Sequence, residues 1–166
     1  MYDIKLLKKL RDETGVSFSV CKKALEESKN NLVDAKKLLT KWGADKAASK
    51  ADRKTGAGAI FSYVHHNKKV ASLVEVKCET DFVSGNKEFQ TLGQELAMQV
   101  ASLSAEKVEE LLDQEYVRDP SKKVSDLIKE AVLKFGENIV IVTPSFARIE
   151  KQPERVRDEH AKSKFE

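Results

Sequence analysis

A chain of 166 residues, 40% hydrophobic and 34% charged with a net charge of +3, is long enough for one ordinary domain, or for a small and a medium one, each with a buried core. No apolar run approaches the roughly 18 to 20 residues of a membrane span, and the N-terminus lacks the apolar stretch of a signal peptide, so a cytoplasmic protein is expected. The two cysteines, Cys21 and Cys78, read as small buried thiols rather than a disulfide framework.

Ile4, Leu7 and Leu10 recur at helical spacing and Thr14-Gly15 supplies a stop, which predicts a first helix over about residues 3 to 13. Ser17 or Ser19 is placed to cap a second helix burying Val20, Ala24 and Leu25. Asn31 is placed to cap a third, burying Leu32, Ala35, Leu38 and Trp42 before Gly43. Three short helices over residues 1–43 suit a small bundle. Residues 44–58 carry no large apolar side chain and end in Thr55-Gly56-Ala57-Gly58, which reads as a linker whose first half is able to extend as a solvent-exposed helix.

From residue 59 to about 150 the pattern predicts an α+β core. Ala59 to His65 and Val70 to Cys78 form a hairpin across His66-Asn67-Lys68-Lys69, with Val70, Ser72, Val74 and Val76 on one face. A helix from Lys87 carries the stripe Phe89, Leu92, Leu96, Val100 and Leu103. Ser104 opens a short acidic helix to about Asp113. Asp119-Pro120 starts another that buries Val124, Leu127, Ile128, Ala131, Val132 and Phe135 and ends at Gly136. A third strand runs over Ile139 to Val142 and irregularly past Pro144 to Ile149. Together these give a small antiparallel sheet covered by helices. Residues 151–166 hold nine charged residues and read as frayed helix or disorder.

Charge is unevenly spread: residues 1–58 hold 14 Lys and Arg against 8 Asp and Glu, the remainder 16 against 19. A basic end suggests an RNA- or ribosome-binding module, but no aromatic residues punctuate the lysines as a stacking platform requires, so a solvated face or an acidic protein partner fits better. His65, His66 and Cys78 lack a fourth ligand and neighbouring strand residues face opposite ways, so no metal site is expected. Cys78 in an apolar strand reads as inert, not nucleophilic. Gly56-Ala57-Gly58 precedes a strand and is followed by no Gly-Lys-Ser/Thr, so it is not a phosphate loop; neither a cofactor nor direct nucleotide binding is expected.

The joint Cys78-Glu79-Thr80-Asp81-Phe82-Val83-Ser84-Gly85-Asn86 connects a strand to a helix and carries a large aromatic residue, beside an aspartate placed to cap the helix. Two readings of Phe82 follow. It packs under its own domain as a staple or core residue, or it is a hydrophobic plug on a stiff mount that fills a partner's pocket at little entropic cost.

The string Thr80-Asp81-Phe82-Val83, with Asn86 and Phe89 following, resembles the signature of the elongation factor Ts family. Leu10-Arg11-Asp12-Glu13-Thr14-Gly15 with Cys21-Lys22-Lys23-Ala24-Leu25 resembles that family's opening pattern, and Gly136-Glu137-Asn138-Ile139 its closing one. The blocks occur in family order, and the likeness covers about residues 2 to 103 and 120 to 150. The resemblance implies a ubiquitin-associated type of N-terminal bundle and a protein that releases GDP from elongation factor Tu. It implies that Thr80, Asp81, Phe82 and Val83 form a wedge disturbing the magnesium and phosphate site. It also implies that Arg11, Thr14, Gly15, Val16 and Phe18 grip the partner's nucleotide-binding domain. The chain departs from the family at Val16-Ser17-Phe18-Ser19-Val20, where small and Met residues are usual, and in having about twenty residues where a longer helical insertion is typical. The shortened core leaves sheet edges and an apolar face open, for which a noncovalent homodimer through Ile139 to Val142, Phe146 and Ile149 is the expected cover.

Overall fold

The computed structural model describes residues 2–149; the expectation for the charged tail lies outside the described residues. Helix α1 (Ile4–Thr14) starts where the Asp3 carboxylate accepts from the N–H groups of Lys5 and Leu6 at 2.7 and 3.3 Å. It stops at Gly15, whose φ of 64° is the left-handed turn a glycine adopts without strain. Helix α2 (Phe18–Glu27) follows with Ser17 at its N-cap. Neither expected serine caps it, because the Ser17 and Ser19 hydroxyls lie 3.3 Å from each other and Ser17 makes no capping bond. Helix α3 (Leu32–Lys50) is capped by the Asn31 side chain, as its position predicts. Leu7, Leu10, Cys21, Ala24, Leu25 and Ala35 close the bundle's core. The leucine of α3 that reaches this core is Leu39, while Leu38 is only half-buried.

Strand β1 (Ala57–Val64) and strand β2 (Val70–Cys78) form the hairpin. One turn of helix, α4 (Asp81–Ser84), leads into α5 (Lys87–Leu103). The acidic segment forms α6 (Val108–Asp113), which Ser104 does not open: Ser104 terminates α5 in a left-handed conformation, φ 54°, and Leu103 is 49% exposed rather than buried. Asp119-Pro120 starts a strand, not a helix. Strands β3 (Glu115–Tyr116) and β4 (Asp119–Lys123) form a small ribbon, where a proline is tolerated because no further strand needs its missing N–H. Helix α7 (Val124–Phe135) begins four residues after that proline, its start held by the Asp126 carboxylate accepting from the Lys123 N–H at 3.1 Å. Strand β5 (Val140–Arg148) returns antiparallel to β2, giving the order β1-β2-β5. Val142 is the extra residue at a bulge facing Glu75 and Val76.

Helix α5 covers one face of this sheet, with α6 against β5, while α7 packs along α3 and adds side chains to the same core. Phe61, Val74, Val76 and Cys78 from the sheet meet Phe89, Leu96 and Val100 from α5 and Val124 and Val132 from α7. Gly93 has no Cβ, and the Phe61 ring occupies the space one would take. The other face presents Ile60, Val64 and Leu73, 72%, 61% and 51% exposed.

Gly43 does not end α3. A Cβ there would sit 3.0 Å from the Lys129 carbonyl oxygen of α7, so this glycine permits close helix approach, and α3 continues along α7 to Lys50. Leu133 of α7 completes the bundle's core, so the helical region and the sheet region share one helix.

Candidate functional site

Strand β2 loses its ladder partners at Cys78, which pairs with Ala57; its neighbour β5 last pairs at Lys77. The next two N–H groups, of Glu79 and Thr80, are therefore free to be bound from elsewhere, and the Glu137 carboxylate takes both at 3.0 and 3.1 Å. It also accepts from the Thr80 hydroxyl at 2.6 Å. Beyond Thr80 the chain makes the single turn of α4, closed by Ser84 N–H to the Thr80 carbonyl at 3.2 Å and Gly85 N–H to the Asp81 carbonyl at 2.9 Å. The Gln90 amide donates to the Ser84 carbonyl at 2.6 Å, tying this turn to α5.

The four residues of the turn divide their work. Val83 points inward, 9% exposed, and joins the sheet core. Phe82 points outward and is 93% exposed. A phenyl ring left in water forgoes about 1.5–3 kcal/mol that burial would supply, so the core reading of Phe82 does not describe this molecule. Asp81 sits in the first turn of α4 and does not cap α5; that role belongs to Asn86, whose Oδ1 accepts from the Glu88 N–H at 2.8 Å. The Cys78 thiol beneath donates to the Thr80 carbonyl at 3.3 Å, and burial, reinforced by the nearby Glu137 charge, raises its pKa, which suppresses the nucleophilic thiolate.

The second group of candidate residues surrounds the turn between α1 and α2. Arg11 is exposed, with its guanidinium 5.9 Å from the centroid of the Phe18 ring, itself 45% exposed. The Thr14 hydroxyl donates to the Leu10 carbonyl at 2.7 Å, and Gly15 is exposed at the turn. Val16 is 3% exposed and belongs to the bundle's core, so its side chain supports this corner from inside. One lysine touches both candidate regions: the Lys134 side chain lies over Gly15 and its ammonium pairs with Glu88 at 2.7 Å, in the first turn of the helix that follows Phe82.

Sequence reasoning passed over Glu79, Glu137, Asn138 and Lys134 as site residues. Glu137 and Asn138 lie in a recognisable block, yet no local signal relates them to a turn 57 to 59 residues away. His65 and His66 do stack, with ring centroids 4.2 Å apart, but among the described residues no group of three or more His, Cys, Asp or Glu is placed to hold a metal ion. None of the described helices is long and apolar enough to cross a membrane.

Fold and site together define an α+β protein whose most distinctive surface feature is a presented aromatic side chain on a hydrogen-bonded mount. The family pattern described as Elongation factor TS matches residues 79–164, beginning at the base of that mount. An Elongation factor Ts of Thermosipho melanesiensis is 40% identical over 85% of this chain and 95% of its own length. Proteins of the same name from Coprothermobacter proteolyticus and Leptospira biflexa are 37% and 34% identical, over 82% and 81% of this chain and 92% and 91% of their own. The chain belongs to the elongation factor Ts family of translation factors.

Proposed function

We propose that this protein releases GDP from elongation factor Tu by inserting Phe82, without making or breaking a covalent bond. The observation that carries this reading is a phenylalanine 93% exposed on a turn whose backbone is fixed by its neighbours. Its ordering cost is met during folding, so burial in a partner's pocket is available for work on the partner. Thr80, Asp81 and Val83 complete the wedge: Thr80 and Val83 hold it to the protein, and Asp81 brings a negative charge beside the ring. Displacing the elements that coordinate magnesium weakens the hold on a multiply charged diphosphate. Exchange then follows from reciprocity. A factor that binds empty elongation factor Tu more tightly than the GDP-bound form lowers GDP affinity by the same ratio.

Arg11, Thr14, Gly15 and Phe18 supply the second contact, on the partner's nucleotide-binding domain, with Val16 shaping it from within. Mixing the protein with elongation factor Tu carrying fluorescent GDP tests the proposal: accelerated loss of the signal with excess unlabelled GDP supports it. RNA affinity that falls steeply with salt, with no effect on GDP release, would point to the RNA- or ribosome-binding alternative instead.

The second partner proposed is another copy of this chain, held noncovalently. Ile139 and Ile141 are buried, at 3% and 4%, so the available surface is Val140 and Val142 on β5 and Ile149 just past its end, 37%, 38% and 67% exposed, beside the open face of the sheet. Phe146 is half-buried against the core, which makes Val140→Lys the cleaner probe. Light scattering over a concentration series should show a doubled mass that the substitution reduces; a wild type that stays monomeric at high concentration would rule the dimer out.

A further inference from the structure

We infer that Glu137 is a positioning residue for nucleotide release: its carboxylate fixes the strand end that carries Phe82. This inference rests on the exchange reading above. The Gly136-Glu137-Asn138-Ile139 block closes a reciprocal clasp with the foot of the wedge. Glu137 binds the N–H groups of Glu79 and Thr80 and the Thr80 hydroxyl, and Glu79 in return accepts from the Asn138 N–H at 2.7 Å. The Asn138 amide, 5% exposed, donates to the carbonyls of Ala51 and Arg53 at 3.3 and 3.0 Å, and the Arg53 guanidinium lies 3.5 Å from Glu79. Three chain segments, after α3, after β2 and after α7, are thereby joined at the foot of the wedge.

The clasp does what a sheet ladder does for the residues before it. The backbone direction of β2 is set by β5 as far as Lys77 and by β1 as far as Cys78; past it, Glu137 holds the N–H groups of Glu79 and Thr80, while the Thr80 carbonyl accepts from the Cys78 thiol and the Ser84 N–H. Three hydrogen bonds converging on one side chain leave the peptide planes of Glu79 and Thr80 little freedom to rotate. Without them, Val83 still anchors the turn in the core, so the protein stays folded while the ring loses its fixed aim. Docking through the N-terminal corner is untouched. A misaimed wedge therefore lowers the maximal rate of GDP release rather than the concentration at which the factor saturates.

The test measures release of fluorescent GDP from elongation factor Tu over a series of factor concentrations, with melting curves alongside. Glu137→Gln keeps the reach, its oxygen accepting from both N–H groups and its amide donating to the Thr80 hydroxyl, and should stay within about twofold of wild type. Glu137→Ala should lower the maximal rate about tenfold. Glu137→Asp, which keeps the charge and so preserves folding even if the alanine variant does not, withdraws the oxygens by one methylene and should show a similar loss. In a Phe82→Ala background the same substitutions should add less than about twofold, because there is no ring left to aim. Hydrogen exchange of the Glu79 and Thr80 amides should accelerate in Glu137→Ala and Glu137→Asp. Wild-type maximal rates in both variants, an undiminished loss in the Phe82→Ala background, or unchanged protection of the two amides would each overturn the inference. The amide measurement needs no partner, so it decides the clasp separately from the exchange reading, which fails instead if Phe82→Ala releases GDP as fast as wild type.

Discussion

The proposed wedge turn and the corner between α1 and α2 both present a phenylalanine to solvent, but they mount it differently. Phe82 is 93% exposed, and the turn beneath it is held by a buried valine, a thiol, a glutamine and the Glu137 carboxylate. Phe18 is 45% exposed, lies at the first position of α2, and shares its ring face with Arg11. The first arrangement fixes the backbone and frees the ring. The second leaves the ring partly covered by a long, flexible side chain that can move aside. A rigid, protruding ring suits displacement of a partner's elements, whereas a half-covered ring beside a guanidinium suits an adaptable grip with both apolar and charged contact.

The sharpest way to break this contrast is to move from the exposed ring to the buried one seven residues on. Phe89 is fully buried between the Phe61 and Phe135 rings, 6.0 and 6.3 Å away between centroids. Phe89→Ala should cost about 3–5 kcal/mol in chemical denaturation, the value for emptying an aromatic core site. A cost below about 1 kcal/mol would show that the core does not support the wedge. Val83→Ala comes next: one buried residue trimmed by two methyl groups should cost about 1–2 kcal/mol of stability and slow GDP release as the turn loosens.

At the other site, Phe18→Ala should raise the half-saturating concentration in the release assay about three- to tenfold, leaving the maximal rate within about twofold. A fall in maximal rate with no change in half-saturation would reverse the assignment of grip and wedge. The smallest stability effect belongs to Asp81→Ala. Because Asn86 and not Asp81 caps α5, the substitution should shift stability by less than about 0.5 kcal/mol. A loss of 1 kcal/mol or more, the size of a lost cap, would restore the capping role that its position before the helix suggested.

Most elements of the fold were legible because their signals are local. The hairpin around His66-Asn67-Lys68-Lys69, the amphipathic stripe of α5 and the glycine stops at Gly15 and Gly136 each reside in a few neighbouring residues. Misreadings arose where a residue type has two uses. Gly43 resembles a helix stop but serves close packing on α7, and Asp119-Pro120 resembles a helix start but belongs to a ribbon whose partner is Glu115–Tyr116. At the site, the Thr80-Asp81-Phe82-Val83 string marked the proposed wedge, yet whether Phe82 faced in or out depended on Val83 taking the core position. The reciprocal bonds of Glu79 and Glu137 were illegible for a different reason: two acidic residues far apart in the chain carry no pattern until β5 returns beside β2.

The central claim, that the ring of Phe82 acts on a partner and not on its own fold, is tested most directly by Phe82→Ala. Melting curves and the concentration-dependent release of fluorescent GDP from elongation factor Tu should be recorded on the same preparation. The account predicts a melting temperature within about 2 °C of wild type, as befits a surface substitution, together with a maximal release rate reduced at least about tenfold. A substitution that lowers the melting temperature by about 5 °C or more, or one that leaves GDP release at the wild-type rate, would contradict it.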